Sequence, residues 1–464
     1  MLQRLVLLIA ILSSFIAFLD GTVITVALPA IVRELGGGIV TQQWVMDAYL
    51  ITLGSIILLA GSLSDAFGRK RVLFWGITGF GIASILCAVA PSDGVLIAAR
   101  ALQGVAGALL VPSSLALILS TFSGAAQAKA IGSWTAWTST AFLAGPLIGG
   151  LLVDLVSWRL VFAINVVPIA LTLVFLARLP KDHPAAAGVR IDVLGAALGV
   201  AGLGLPVFAL IEQSRFGWTS PVIIVPAVLG VASFVAFILH ERRTKQPMMP
   251  LSLFRVRNFS VGNVSTLFVY GALSLGTFLL AVFLQQVAGY TATLAGLATL
   301  PTTIISILLS TQIGKLAGVH GSRLFMCVGP IVAGAGFFLL LLVGEKADYW
   351  SQVFPGIVIF GLGMTVTVAP LTSAILGSIE PAHAGIASAV NNAVSRVAGL
   401  IAVAAAGLIV GPTLGVEGFH RAVIVTGVLL VLGGVISGLG IQNPRRVDAS
   451  MAPEAPAAPL APSA

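Results

Sequence analysis

The chain has 464 residues, of which 58% are hydrophobic and only 9% charged. A soluble domain carries roughly 25% charged residues, so this chain lacks the polar surface that a water-facing body of its size needs. A cytosolic enzyme, a nucleic-acid binder and a disordered scaffold are excluded. The formal charge of +8 is spread over short connections rather than gathered in a stripe, which points to a membrane and not to nucleic acid.

One bilayer crossing needs about 20 apolar residues. Apolar runs between breaks rich in charge, Gly or Pro predict crossings at 5–30, 43–63, 72–90, 95–121, 130–152, 160–177 and 193–211. They continue at 220–239, 259–284, 293–314, 323–343, 351–377, 387–410 and 421–441. Runs of this length without period-2 alternation are helices, since a lipid-facing barrel needs alternating strands. The first run is too long for a signal peptide and lacks a clear small-residue cleavage site, so it reads as an uncleaved helix. Cys87 and Cys327 both fall inside apolar runs and read as inert thiols, which argues against a disulfide framework or a metal cluster. The Ala/Pro-rich segment 442–464 reads as a disordered tail.

Lys and Arg orient the chain. With a cytoplasmic N-terminus, seventeen cations fall on that side, among them Arg69, Lys70, Arg71, Arg178, Arg242, Arg243, Arg255 and Arg257. Five fall on the other: Arg33, Arg159, Arg215, Lys346 and Arg421. The positive-inside rule therefore puts both termini in the cytoplasm.

A repeat marks two halves. Gly61-Ser-Leu-Ser-Asp65-Ala-Phe-Gly68-Arg69-Lys70-Arg71 closes the second run, and Gly314-Lys-Leu-Ala-Gly-Val-His-Gly321-Ser-Arg323 closes the tenth. Each has two glycines seven apart and a basic residue shortly after. The expected organisation is a six-helix bundle at 1–178, a two-helix insert at 179–258, a second six-helix bundle at 259–441 and the tail. Repeated halves around a midplane site are a common design of secondary transporters. In the first copy, Gly61 and Gly68 allow close approach and a tight turn, and Asp65 is placed to cap a helix or pair with Arg69. The loop is either a latch between the halves or a basic stop-transfer connection. In the second copy Gly318 stands in the place of Asp65, so a symmetric latch is not expected.

The loop at 61–71 resembles the signature loop of the major facilitator superfamily. Further segments resemble its fourteen-helix drug/proton antiporter subfamily. They are Leu19-Asp20-Gly-Thr-Val-Ile-Thr-Val-Ala-Leu-Pro29 in the first crossing, Arg100-Ala-Leu-Gln103-Gly104-Val-Ala-Gly107 in the fourth and Gly145-Pro146-Leu-Ile-Gly149-Gly150 in the fifth. Asn391-Asn392 with Arg396 resembles the subfamily's thirteenth helix. The resemblance covers nearly the whole chain. It implies an all-α membrane fold of fourteen helices, a monomeric multi-pass protein of the bacterial cytoplasmic membrane, and export powered by the proton gradient without a cofactor. The cargo it implies is a small hydrophobic or amphipathic compound.

Elimination singles out one acid for a coupling proton. All five histidines lie in connections or at the ends of runs, and of sixteen carboxylates only Asp20 sits well inside one. Asp47 lies near the outer end of the second run, while Asp154, Asp192 and Glu212 lie at the ends of theirs. A charge within the bilayer costs at least about 2.5–3.5 kcal/mol, so Asp20 needs a partner, a cavity or a neutral state. Arg100 is the partner, because the two differ in depth by roughly 6 Å at 1.5 Å per residue, within reach of a long side chain. The pair is either a permanent structural salt bridge or a coupling site; the resemblance favours the second. In the expected cycle Asp20 takes a proton from outside, loosens Arg100 and favours reorientation inward, where the proton leaves and cargo enters.

Arg396, with Asn391 and Asn392 about one turn before it, forms a polar patch that either contacts cargo or joins helices by hydrogen bonds. Gly145, Pro146, Gly149 and Gly150 kink the fifth helix and give it a small-residue packing face; a bias toward export there is implied by resemblance alone. Trp134, Trp137, Phe142, Phe360 and Met364 read as interface and core residues. One buried acid argues for neutral, zwitterionic or monocationic lipophilic cargo rather than dications. Two alternatives stand beside export: uptake or exchange of a small metabolite, and a lipid-modifying membrane enzyme, for which no interfacial cluster of His, Asp or Ser is evident.

Overall fold

The computed structural model describes residues 2–180, 191–244, 247–380, 384–411 and 413–443. The calls on His183 and His383, on the cations Lys181, Arg190, Lys245, Arg445 and Arg446, and on nearly all of the tail lie outside the described residues. Among the described residues, fourteen helices are long and apolar enough to cross a membrane, as the run lengths predict. They are α1 Leu2–Leu35, α2 Gly38–Phe67, α3 Arg69–Ala88, α4 Asp93–Thr121, α5 Gly124–Leu155, α6 Leu160–Ala177 and α7 Val193–Phe216. The series continues with α8 Pro221–Arg243, α9 Arg257–Gln286, α10 Ala292–His320, α11 Ser322–Leu342, α12 Tyr349–Leu376, α13 Gly385–Val410 and α14 Val416–Gly440.

Within lipid every backbone N–H and C=O must be paired inside its own segment, which is why apolar runs of this length can only be helices. Their ends are set by polar caps. Ser92 accepts the Val95 N–H, Asp192 that of Gly195, and Thr291 that of Leu294, each filling a donor the first turn leaves open. Gly68 ends α2 and begins α3 at φ 92°, ψ 139°, and Gly321 ends α10 and begins α11 at φ 87°, ψ 151°. Positive φ is strained for any residue with a Cβ. The repeated glycine is therefore the same turn, built twice.

Gly61 is different. A methyl group built there meets nothing within 4 Å, so the close approach expected of it is not required in this conformation. The same holds for Gly314 and Gly318.

An even number of crossings returns the chain to its starting side. That side, holding the start of α1 and the end of α14, is called here the terminal face, and the opposite side the distal face. Helices α1–α6 pack mainly on one another, as do α9–α14. The two groups touch through α2 with α13, α5 with the start of α10, and α1 with α9. Many of their polar contacts lie toward the distal face. Gln43 Nε2 donates to the Val403 and Ala404 carbonyls at 2.8 Å each. Asp154 accepts the N–H groups of Ala292 and Thr293 at 3.0 and 2.8 Å. An apolar cluster that includes Val23, Leu28, Leu275, Phe278 and Val403 fills the space between.

Helices α7 and α8 pack as a hairpin. Val207 and Ile211 of α7 pack with Ile51 of α2 and with Leu400 and Ala404 of α13, and Trp44 donates its ring N–H to Glu212 at 2.8 Å. Helix α7 thus sits against α2 and α13, the two helices that meet each other.

Candidate functional site: a buried ion pair beside a central cavity

Asp20 lies midway along α1 with no exposed surface. Three donors from two other helices surround its two oxygens. Arg100 of α4 reaches Oδ2 at 2.6 Å, while Gln103 of α4 and Asn165 of α6 reach Oδ1 at 2.8 and 3.0 Å. Arg100 also donates to Gln103 Oε1 at 2.6 Å and to the Val45 carbonyl of α2 at 3.0 Å, with its guanidinium 4.4 Å from the Tyr49 ring. Ser84 of α3 accepts from Gln103 and Asn165 at 2.9 and 3.4 Å.

The expected pairing of Asp20 with Arg100 is therefore present, each side chain being 1% exposed. The extended partners are new. Gln103 was legible, because a residue three positions after Arg100 shares its helix face. Asn165 was legible only as an isolated amide in an apolar run, and it sits where α6 breaks into two pieces, between Ala163 and Val166. Ser84 gave no signal.

The arrangement has a definite chemical consequence. All three groups at Asp20 are N–H donors, so both oxygens serve as acceptors. A proton added to the carboxyl removes its negative charge and so weakens the charge-assisted contact with Arg100. Asp20 itself does not line the cavity described below, whereas Arg100 and Gly21 do.

That cavity, of ≈ 490 Å³, lies between the halves. Pockets of about 300–1,000 Å³ suit drug-sized molecules. Phe18, Thr22 and Thr25 of α1, Tyr49 of α2 and Phe142 of α5 face Tyr270 and Thr277 of α9, Phe360 of α12 and Asn391, Asn392 and Arg396 of α13. It reaches Leu376, the last residue of α12, and Ser388 near the start of α13, both toward the terminal face. Among the described residues, none of α7 or α8 lines it.

Several expectations change here. Arg396 is half-buried on the cavity wall rather than enclosed. Asn391 donates to Asn263 and Thr266 of α9 at 3.2 and 2.9 Å, so it joins helices as well as lining the cavity. Phe142, expected as a packing residue, faces the cavity; Phe360 packs in the core beside Met364 as expected and also borders the cavity. Asp47, expected near the end of its run, is ten residues into α2, fully buried, with neither oxygen hydrogen-bonded among the described residues. Its proximity to the run's apolar edge in sequence hid a second enclosed acid. No carboxylate lines the cavity among the described residues, which removes the ground for expecting cationic cargo.

The small-residue segment of α5 packs in two directions. A Cβ at Gly149 would lie 2.6 Å from Val23 Cγ2 of α1, and one at Gly150 would lie 2.6 Å from Thr293 Cα of α10. Gly145 meets Thr22 and Pro146 lines the cavity. In the loop at 61–71, Lys70 Nζ donates to the Leu179 carbonyl at 2.6 Å, tying α3 to the end of α6. The side chain of Asp65 lies outside the described residues, so its pairing with Arg69 is not part of this picture.

A fourteen-helix membrane body with a cavity between two groups of helices and a buried ion pair beside it is the architecture of a secondary transporter. The family model of the Major Facilitator Superfamily matches residues 10–403, and the chain belongs to that family, whose members draw on ion gradients. It is similar to the methylenomycin A resistance protein of Bacillus subtilis, 34% identical over 87% of each chain. Two further relatives are the puromycin resistance protein of Streptomyces alboniger, 35% identical over 86% of this chain and 80% of that one, and a multidrug resistance protein of Mycobacterium tuberculosis, 33% identical over 89% and 76%. In fold it is similar to a solved POT family transporter with a bound peptide conjugate, with a TM-score of 0.69, 15% identity and 94% of each chain covered.

Proposed function

We propose that the protein is a proton-coupled exporter of small amphipathic compounds that works by alternating access. The observation that carries this reading is the sealed Asp20–Arg100–Gln103–Asn165 network standing directly behind the wall of a cavity that lies between two helical halves. The names of the three relatives given above, each a resistance protein, favour outward transport of toxic compounds over uptake. In this reading residues 1–178 and 259–441 are the moving bundles, 179–258 the insert, and the protein acts as a monomer.

The charge bias of the connections puts the terminal face in the cytoplasm. The cavity then reaches toward the cytoplasm while Asp154 and Gln43 close the outside, which corresponds to an inward-facing state ready to load cargo. With Asp20 ionised, its three donors keep the network shut and cargo enters. After reorientation a proton reaches Asp20 from outside, its contact with Arg100 weakens, and the empty, protonated carrier returns. The loop at Gly61, Asp65, Gly68, Arg69 and Arg71 and the glycines of α5 tune the balance between the two states.

A panel of antibiotics and dyes on a strain lacking its own pumps, with and without a protonophore, tests the reading. Resistance that depends on expression of the protein and collapses with the protonophore is expected. Resistance that persists when the proton gradient is gone, or accumulation instead of efflux, overturns it.

A further inference from the structure

We propose that cargo is held by an anionic group, a carboxylate or equivalent acid, seated on Arg396. This rests on the exporter reading above and adds to it the charge of what is carried.

The wall of the cavity carries two formal charges among its described residues, both arginines. Arg100 is already satisfied by Asp20, Gln103 and the Val45 carbonyl. Arg396 is not. It lies at the middle of α13 (Gly385–Val410), half-buried, and its guanidinium forms neither an ion pair nor a hydrogen bond among the described residues. The Phe18 ring lies 6.0 Å from it, at the limit of a useful cation–π distance. With that pair cancelled, the described wall of the cavity carries one net positive charge, on Arg396, and no carboxylate to meet it.

A guanidinium at this depth is costly to keep unpaired. It offers five N–H donors in a planar fork that matches a carboxylate in two parallel hydrogen bonds. Around it the cavity supplies what an amphipathic acid needs. Asn392, one turn earlier on the same face, lines the wall beside it. The Phe18 and Phe142 rings, 5.6 Å apart, offer an apolar surface for the body of the molecule. A cation entering the same space would meet a like charge in a low-dielectric site, where repulsion is strong.

Three dansyl probes that differ only in the head group test this: dansylglycine (anionic), dansylglycinamide (neutral) and dansyl-ethylenediamine (cationic). Binding is read by fluorescence with the purified full chain in lipid nanodiscs. The expected result is dansylglycine binding at least tenfold more tightly than dansyl-ethylenediamine. R396Q should weaken dansylglycine at least tenfold and leave dansylglycinamide within twofold, while R396K, which keeps the charge and loses the fork, falls between. If R396Q is recovered only as aggregate, R396K carries the test, with a selective loss for the acid expected. Equal affinity for the three probes, no binding of the acid, or a loss on substitution shared equally by the neutral amide overturns the proposal. Protonophore-sensitive efflux of ethidium together with any of these results would leave the exporter standing and remove only the anion site; loss of all protonophore-sensitive efflux would remove the exporter reading itself.

Discussion

Replacing Asp20 by Asn keeps the shape of the side chain but deletes its charge, leaving Arg100 enclosed without a counter-ion. The two side chains meet at 2.6 Å and are 1% exposed, so water cannot compensate. Removing one member of such a pair costs about 3–5 kcal/mol. Arg100 keeps the Gln103 and Val45 oxygens and the Tyr49 ring, which places D20N near the lower bound, about 3 kcal/mol. R100Q leaves the carboxylate with the Gln103 and Asn165 amides and should cost a similar amount. The double variant D20N/R100Q removes both charges and should recover to within about 1 kcal/mol of wild type, because a neutral replacement of a buried pair is often nearly free. Thermal unfolding in detergent, followed by tryptophan fluorescence, gives the four stabilities, and proton-driven uptake into inverted vesicles gives the activities. A pair that only braces the fold predicts that the double variant regains transport together with stability. A proton-binding acid predicts that it regains stability and stays uncoupled. Proton-driven transport at the wild-type rate by D20N or by the double variant refutes the reasoning.

The other enclosed acid should behave with the opposite sign. Asp47 has no hydrogen-bond partner among the described residues, so D47N removes a group that is costly to bury and should unfold at or above the wild-type temperature. A drop as large as that of D20N would contradict this. At the contact between halves, the Cβ of G150A would lie 2.6 Å from Thr293 Cα and 2.7 Å from the Ala292 carbonyl, both backbone atoms. That overpacking should cost about 1–3 kcal/mol, and only in the state in which α5 and α10 touch. Spin labels at the exposed positions Leu155 and Leu294 should then report a larger population at long distance. An unchanged distribution would show that the contact is not state-dependent.

The fold was legible because lipid allows so few solutions. Once a run exceeds about 20 apolar residues, helix is the only backbone arrangement that pairs its own polar groups, so the number of crossings follows from counting runs. The duplicated turn was legible for a comparable reason. Gly68 and Gly321 adopt a backbone conformation that other residues rarely reach, which leaves a mark in the sequence itself. Gly61 shows the limit of that argument: its partner is seven residues away in both repeats, yet nothing approaches it in this conformation.

The site was half legible, and the division has a physical cause. Asp20 and Arg100 stand out because ionisable groups in the middle of apolar runs are costly and therefore few. Asp47 is just as deeply enclosed but lies nearer the end of its run, where position along one helix says little about burial by the others. Gln103, Asn165 and Ser84 are common polar residues whose meaning comes only from their meeting: the two amides converge on one carboxylate from α4 and α6, and Ser84 of α3 accepts from both. The charge of the cavity is the clearest case of all. Counting acids in the crossings suggested cargo with at most one positive charge, since one carboxylate was present to meet it. The fold spends that carboxylate on Arg100, behind the wall, and turns a second arginine toward the space where cargo would lie. Which of two opposite charges a cavity presents depends on which partner is consumed internally, and that is decided by packing between helices far apart in the chain.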